Sequence, residues 1–280
     1  MTTAFVLSGG ASHGAVQVGM LQALAERDVT PDLVFGASAG ALNAAWVAGD
    51  PKLEGLDDLA GVWRSLRTRD VFPLQPLMGL LGFLGRRNAL VKPDALRSLI
   101  RRNLHFARLE DAPIPLCIVA TEVTSGQEIA LTVGDACDAI LASASVPGVL
   151  PPVQVGDNLL MDGGVVNNTP ISNAIDAGAT RIYVLPTGYA CDLRRPPKSA
   201  LAMSLQAISL LVQQRLITDV HDLQGHVDLR VIPPVCPLDV SPADFSKGAE
   251  LIDLARAGAE HWLDSIGLQP HEGDLNLHRH

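Results

Sequence analysis

Ala4-Phe5-Val6-Leu7-Ser8-Gly9-Gly10-Ala11-Ser12-His13-Gly14 is a four-residue apolar run ended by a glycine turn. After the turn the period changes. Val16, Met20, Ala23, Leu24 and Arg27 recur at three- and four-residue spacings, so a strand passes through the turn into a helix. The pattern repeats at once. Leu33-Val34-Phe35 is a second short strand, Gly36-Ala37-Ser38-Ala39-Gly40 carries its turn, and Ala39 to Ala48 its helix. Two such units in succession, with strands too apolar to face water, predict parallel strands covered by helices on both faces.

The alternation continues outward from these units. Strands are predicted at Leu116–Ala120, Glu128–Val133, Asn158–Met161, Arg181–Leu185 and Asp228–Ile232. Helices are predicted over Asp57–Leu66, Asp94–Leu104, Ala136–Ala144, Ile171–Ala177, Ala200–Leu223 and Phe245–Leu263, with Pro93 well placed to start the second of these. The fold class is therefore α/β, in three α/β/α layers around a mostly parallel central sheet. No internal repeat or linker-like stretch divides the chain. Residues 1–270 read as a single domain and 271–280 as a polar tail.

At 280 residues the chain is long enough for one sizeable core. The net charge is −9, and the 21 basic residues are dispersed, so no face is expected to bind nucleic acid. Cys117, Cys137, Cys191 and Cys236 show no CxxC and no metal-like spacing with histidine. They read as reduced thiols in a reducing compartment. Met1 to Ala25 carries no Asp, Glu, Lys or Arg, yet it lacks a basic leading region and is broken by Ser8-Gly9-Gly10, which argues against a signal peptide. No other stretch reads as a membrane span. The expected location is cytoplasmic.

Three segments carry chemistry. In Gly36-Ala37-Ser38-Ala39-Gly40 a serine sits at a strand-to-helix turn, flanked by glycines that permit a sharp bend, and the helix dipole favours negative charge on its oxygen. Gly9, Gly10 and Ala11 form a turn whose Gly10 and Ala11 N–H groups are free at a helix start, as oxyanion donors must be. The rival reading, a dinucleotide loop, lacks both the Gly-x-Gly-x-x-Gly pattern and an acidic residue after the second strand. The third segment is Asp162-Gly163-Gly164, after a short strand. His221, His226 and His261 lie downstream of the serine, but none follows a strand in a glycine-rich loop. Asp162 does, and a desolvated carboxylate has a pKa high enough to abstract a proton directly. The residues point to a two-residue site of Ser38 and Asp162.

These segments, in this order, resemble the bacterial branch of the patatin-like phospholipases. Phe5–Gly14, Pro31–Ala45, Pro115–Thr124, Ser143–Pro152 and Met161–Pro186, which includes Asn167-Asn168-Thr169-Pro170, are similar to that branch. The likeness runs from Ala4 to Leu263 and is looser over Leu53–Arg108 and Cys191–His226. The resemblance implies lipid acyl hydrolase or lysophospholipase activity, with Ser38 as nucleophile and Asp162 as base. It implies no catalytic histidine, calcium or other cofactor. Gly10 and Ala11 would form the oxyanion hole, supported by Gly9, His13, Gly14, Gly36, Gly40, Gly163 and Gly164. Two residues depart from the family pattern. Ala11 replaces a glycine, and its N–H is expected in place if its φ is negative. His13 replaces an arginine; holding an anionic head group there predicts activity that rises towards pH 6.

The expected partner is a lipid or lysophospholipid ester. An acyltransferase with the same nucleophile, and an idle lipid-binding member of the family, are the alternatives. Between Phe72 and Leu90 an apolar, glycine-broken stretch reads either as a buried loop or as a flap. As a flap it would make peripheral membrane contact through Leu77, Leu80, Leu81 and Phe83. Ser143 and Ser145 read as capping or turn residues, and Trp46, Trp63 and Trp262 as core. Helix Ala200–Leu223 reads as a packing or dimer face.

Overall fold

The computed structural model describes residues 1–73, 89–188 and 200–266, apart from 224, 237 and 239. The Leu77–Phe83 stretch, the tail from 271 and Cys191 lie outside the described residues. Both opening units form as predicted. Strand β1 (Thr3–Leu7) leads through a short 3-10 turn into α1 (Gly14–Ala25), and β2 (Leu33–Ala37) leads into α2 (Ala39–Gly49). Then come α3 (Leu53–Ser65), α4 (Thr68–Val71), α5 (Asp94–Asn103), β3 (Leu116–Glu122), β4 (Glu128–Leu131) and α6 (Ala136–Ser143). The remainder is β5 (Val153–Val155), β6 (Asn158–Asp162), α7 (Ile171–Asp176), β7 (Arg181–Leu185), α8 (Ala200–Leu223), β8 (Asp228–Val231) and α9 (Gly248–Ile266). Two of these are not predicted by the sequence pattern. β5 is three residues long and directly follows Pro151-Pro152, and α4 is a single turn, too short to show a period.

The strands form one sheet in the order β5-β6-β3-β2-β1-β7-β8, with β4 also paired to β3. The stretch from β3 to β8 is parallel, while β4, β5 and β6 run antiparallel to their neighbours. One register detail matters for the site. β4 covers one edge of β3 from Ile118 to Thr121. β2, paired up to Ala37 opposite Val119, and β6, ending with Asp162 opposite Ala120, must therefore share the other edge end to end. The last residues of β2 and β6 meet head-on.

Helices cover both faces of the sheet. On one, Val16, Met20 and Leu24 of α1, Val47 of α2, Leu59 of α3 and Ile252 of α9 form the larger core with Phe5, Val34 and Ile118. On the other, Ile171 and Ala174 of α7 and Leu216 and Val220 of α8 pack on Ala4, Val6, Phe35, Ile182 and Val184. Alternate residues of β1 thus feed opposite layers, as the two-residue strand period requires. Among the described residues no helix is long and apolar enough to cross a membrane, and no group of His, Cys, Asp and Glu could hold a metal ion. Cys117 and Cys137 are free and buried. Cys236 is disulfide-bonded, which corrects the expectation of a reduced thiol there.

Candidate active site

The end-to-end meeting of β2 and β6 brings Ser38 and Asp162 together across 124 residues of chain. Ser38 Oγ donates to Asp162 Oδ2 at 2.7 Å. The other carboxylate oxygen, Oδ1, accepts the Gly164 N–H at 2.8 Å. The backbone of Asp162 is held as well: its N–H donates to Ser145 O at 3.0 Å, and its carbonyl accepts from Thr121 Oγ1 at 2.8 Å. Asp162 is buried, and burial pushes its carboxyl from an ordinary 3.8 up to about 6, partly opposed by the bonds from Ser38 and Gly164. Such a carboxylate is ionised for the most part at neutral pH, yet it is a far better proton acceptor than one in water.

Ser38 sits at φ 52°, ψ −122°, a conformation that costs an L-residue about 1–3 kcal/mol. The turn is tight because α2 packs directly on β1: a side chain at Gly40 would overlap the Leu7 carbonyl. Gly36 faces the Gly40 carbonyl at 2.5 Å from its missing Cβ, so the absence of a side chain at Gly36 leaves room for the first turn of α2. The Ser38 N–H donates to Ser143 Oγ at 2.9 Å, and Ser143 Oγ donates to Val119 O at 2.6 Å.

The glycine turn lies beside the serine. Gly9 is fixed through its N–H to Asn168 O at 3.2 Å and through its carbonyl, which accepts from Thr187 Oγ1 at 2.7 Å. The Ser12 N–H donates to Pro242 O, and Gly14 O accepts from Asn43 Nδ2 at 2.9 Å. Between these anchors, the N–H groups of Gly10 and Ala11 have no acceptor among the described residues. Gly10 must be glycine because a side chain would overlap Thr187. Ala11 lies at φ 50°, which overturns the expectation of a negative φ at this glycine-to-alanine departure. Gly163 backs onto the Val119 carbonyl and starts the turn that aims the Gly164 N–H.

His13 is built into this loop differently from the head-group contact expected. Its Nε2 bonds Val240 O at 2.8 Å, and burial holds the imidazole below its ordinary 6.5, partly opposed by that bond. A ring whose pKa is held down by burial charges less readily towards pH 6 than an exposed imidazole. His13 is therefore a tether between the glycine turn and the Val240–Pro242 segment. His221 pairs with its neighbour Asp222 at 3.2 Å on α8, far in role from Ser38, whose side chain bonds Asp162.

Ser38 opens on a narrow apolar cavity of about 70 Å³, roofed by α2, α3 and α5. Leu42, Trp46, Leu59, Val62, Leu99 and Ile100 are among its lining residues, and Ala11 and Ala39 stand with Ser38 at the reacting end. Trp46 and Trp63, read from the sequence as core, are indeed buried, but they also form the walls of this cavity. Of the two asparagines among them, Asn43 has both ends of its amide occupied, with Nδ2 donating to Gly14 O and Gln17 Oε1 and Oδ1 accepting from Trp63 Nε1, and Asn103 donates its Nδ2 to Leu99 O at 2.8 Å. The cavity's lining is thus predominantly apolar.

Comparison with known proteins places the chain in a family. The family described as patatin-like phospholipase matches residues 5–175. An uncharacterised NTE family protein of Mycobacterium tuberculosis strain H37Rv is 32% identical over 170 residues, which is 60% of this chain and 44% of that protein. Human patatin-like phospholipase domain-containing protein 6 is 30% identical over 189 residues, 67% of this chain and 13% of that protein. The chain therefore spans less than half the length of these relatives. Among solved structures, human GIVD cytosolic phospholipase A2 aligns over 95% of this chain and 57% of its own at 13% identity and a TM-score of 0.48. VipD from Legionella pneumophila aligns over 94% and 67% at 17% identity and a TM-score of 0.47. With well over half its length matched, the chain belongs to the patatin-like phospholipase family.

Proposed function

We propose that this protein is a serine-dependent lipid acyl hydrolase that cleaves a carboxylic ester of a glycerolipid or lysophospholipid through an acyl-enzyme on Ser38. The observation that carries the reading is the 2.7 Å bond from Ser38 Oγ to a buried Asp162 at the mouth of an apolar cavity. Asp162 Oδ2 accepts the Ser38 proton as Oγ attacks the ester carbon. The N–H groups of Gly10 and Ala11 receive the negative charge that develops on the carbonyl oxygen. Collapse of the tetrahedral adduct expels the alcohol, which takes the proton back from Asp162. Water then attacks the acyl-enzyme, gives its proton to Asp162, and the fatty acid leaves as Ser38 is restored. The acyl chain lies in the apolar cavity between α2, α3 and α5. No step needs a metal ion or a histidine.

A fluorophosphonate probe tests the reading, with hydrolysis of nitrophenyl esters as the second readout. Wild type labels, Ser38→Ala does not, and Asp162→Asn labels at least about a hundredfold more slowly, the scale of general-base assistance. Labelling that survives in Ser38→Ala overturns the assignment of the nucleophile. Wild-type labelling in Asp162→Asn overturns that of the base.

A further inference from the structure

Ser143 is the last residue of α6, where a serine ordinarily turns back on its own helix. Ser145, two residues on, does so, donating to Leu141 O at 2.7 Å four residues behind it. Ser143 does not. Its hydroxyl is fully buried and reaches out of the helix to two strand ends. It donates to Val119 O, 24 residues away, and accepts the N–H of Ser38, 105 residues away. Those partners lie where β2 and β6 meet on β3: Val119 is opposite Ala37, and Ala120 opposite Asp162.

The N–H that Ser143 accepts belongs to the residue held at φ 52°, ψ −122°. A backbone in that region persists only where its surroundings over-determine it. Ser38 is fixed downstream by α2, since Ala41 N–H donates to Ser38 O. Upstream, the N–H bond to Ser143 is its polar anchor, and the hydroxyl that accepts it is itself oriented by giving its proton to Val119 O. The same α6 terminus supplies Ser145 O to the N–H of Asp162. One helix end thus grips the backbones of both members of the pair.

We propose that Ser143 is a positioning residue for the nucleophile, holding the Ser38 backbone in its strained turn so that Oγ stays aligned with Asp162. The proposal rests on the Ser38–Asp162 reading given above. Ser143 does not line the cavity and makes no bond to the Asp162 carboxylate, so its removal acts on alignment and not on substrate binding or on the ionisation of the base.

Ser143→Ala, which removes the acceptor, and Ser143→Cys, which keeps the volume with a weak acceptor, are compared with wild type. Second-order labelling by a fluorophosphonate, steady-state hydrolysis of a short nitrophenyl ester and thermal melting are measured on each. Labelling and kcat are expected to fall by about tenfold or more, the worth of one buried N–H left without its acceptor. KM and the pH midpoint of kcat are expected to stay within about twofold and a few tenths of a pH unit, as expected of a residue that touches neither the cavity nor the Asp162 carboxylate. Ser143→Thr, which retains the hydroxyl, restores labelling. A folded Ser143→Ala or Ser143→Cys that labels at the wild-type rate overturns the proposal, as does a rise in KM with kcat unchanged. Labelling of wild type that persists in Ser38→Ala would instead overturn the dyad, so the two failures are distinguishable.

Discussion

Desolvation of Asp162 imposes a stability penalty on this protein, and the penalty has a definite pH signature. The carboxyl is buried and its pKa lies at about 6, against an ordinary 3.8. A carboxyl whose folded value is raised contributes stability that is fully present below the unfolded value and lost as pH rises through the folded one. Between pH 3.8 and about 6 the folded protein keeps a proton that the unfolded chain has released. Above that window the ionised, desolvated form costs about 3 kcal/mol, at 1.36 kcal/mol for each unit of pKa. Asp162→Asn removes the charge while its amide oxygen can still accept from Gly164. The difference in unfolding free energy, mutant minus wild type, should therefore be small at pH 4 and grow by about 2.4 kcal/mol by pH 8. In a domain of this size that corresponds to a widening of the melting-temperature gap by roughly 6–9 °C. Carboxylates held low by their partners, such as Glu122 and Asp228, weaken both proteins alike in acid and cancel in the difference. Ser38→Ala in the same series removes a donor to the carboxylate, so its step should move to higher pH. The assay is chemical or thermal unfolding of the three proteins from pH 4 to 8. A mutant-minus-wild-type difference that does not change with pH would refute the reasoning, because it would mean that Asp162 is not desolvated.

Three further outcomes are expected from the same geometry. Ala11→Gly should raise the melting temperature by about 1–2 °C, because relief of the left-handed backbone at φ 50° outweighs the extra chain entropy of glycine; a fall would refute the strain. Leu42→Trp, which fills the cavity one turn along α2 from Ala39, should lower kcat/KM for long-chain nitrophenyl esters at least about tenfold more than for butyrate. An unchanged chain-length profile would place the acyl group elsewhere. His13→Ala should lower stability by about 1 kcal/mol through loss of the bond to Val240 O, while the ratio of its activity to wild type stays flat between pH 6 and 8. A ratio that rises with pH would restore a charged role for the imidazole.

The features that are legible in the sequence and those that are hidden divide along the reach of each interaction. Gly9-Gly10, the Ser38 turn and Asp162-Gly163-Gly164 are legible because their function is local: each is a loop at the end of a strand, and turn chemistry is written in adjacent residues. The sheet and its layers are legible in strand-by-strand apolarity. The sign of φ at Ala11 is not, since alanine normally avoids the left-handed region and the loop is held there by Pro242 and Asn168 from afar. The role of His13 is hidden for the same reason: its partner is a backbone carbonyl 227 residues away. Trp46 and Trp63 show the helical spacing of core residues, and the same spacing serves a cavity wall; only the arrangement of α2 against α3 and α5 tells them apart.

Ser143 shows the limit most clearly. In the sequence it is a small polar residue ending a helix before Val146-Pro147-Gly148, which is what a capping serine looks like. Its separate meaning depends on a register: β2 and β6 must share one edge of β3 for Val119, Ser38 and the end of α6 to come within reach of a single hydroxyl. That register in turn depends on β4 taking the opposite edge. The alignment proposed for Ser38 therefore depends on strand order as well as on the glycines of the pentapeptide around it. Changes in β4 that shift its pairing, such as proline at Ala130, should then weaken labelling of Ser38 although no atom of β4 belongs to the site.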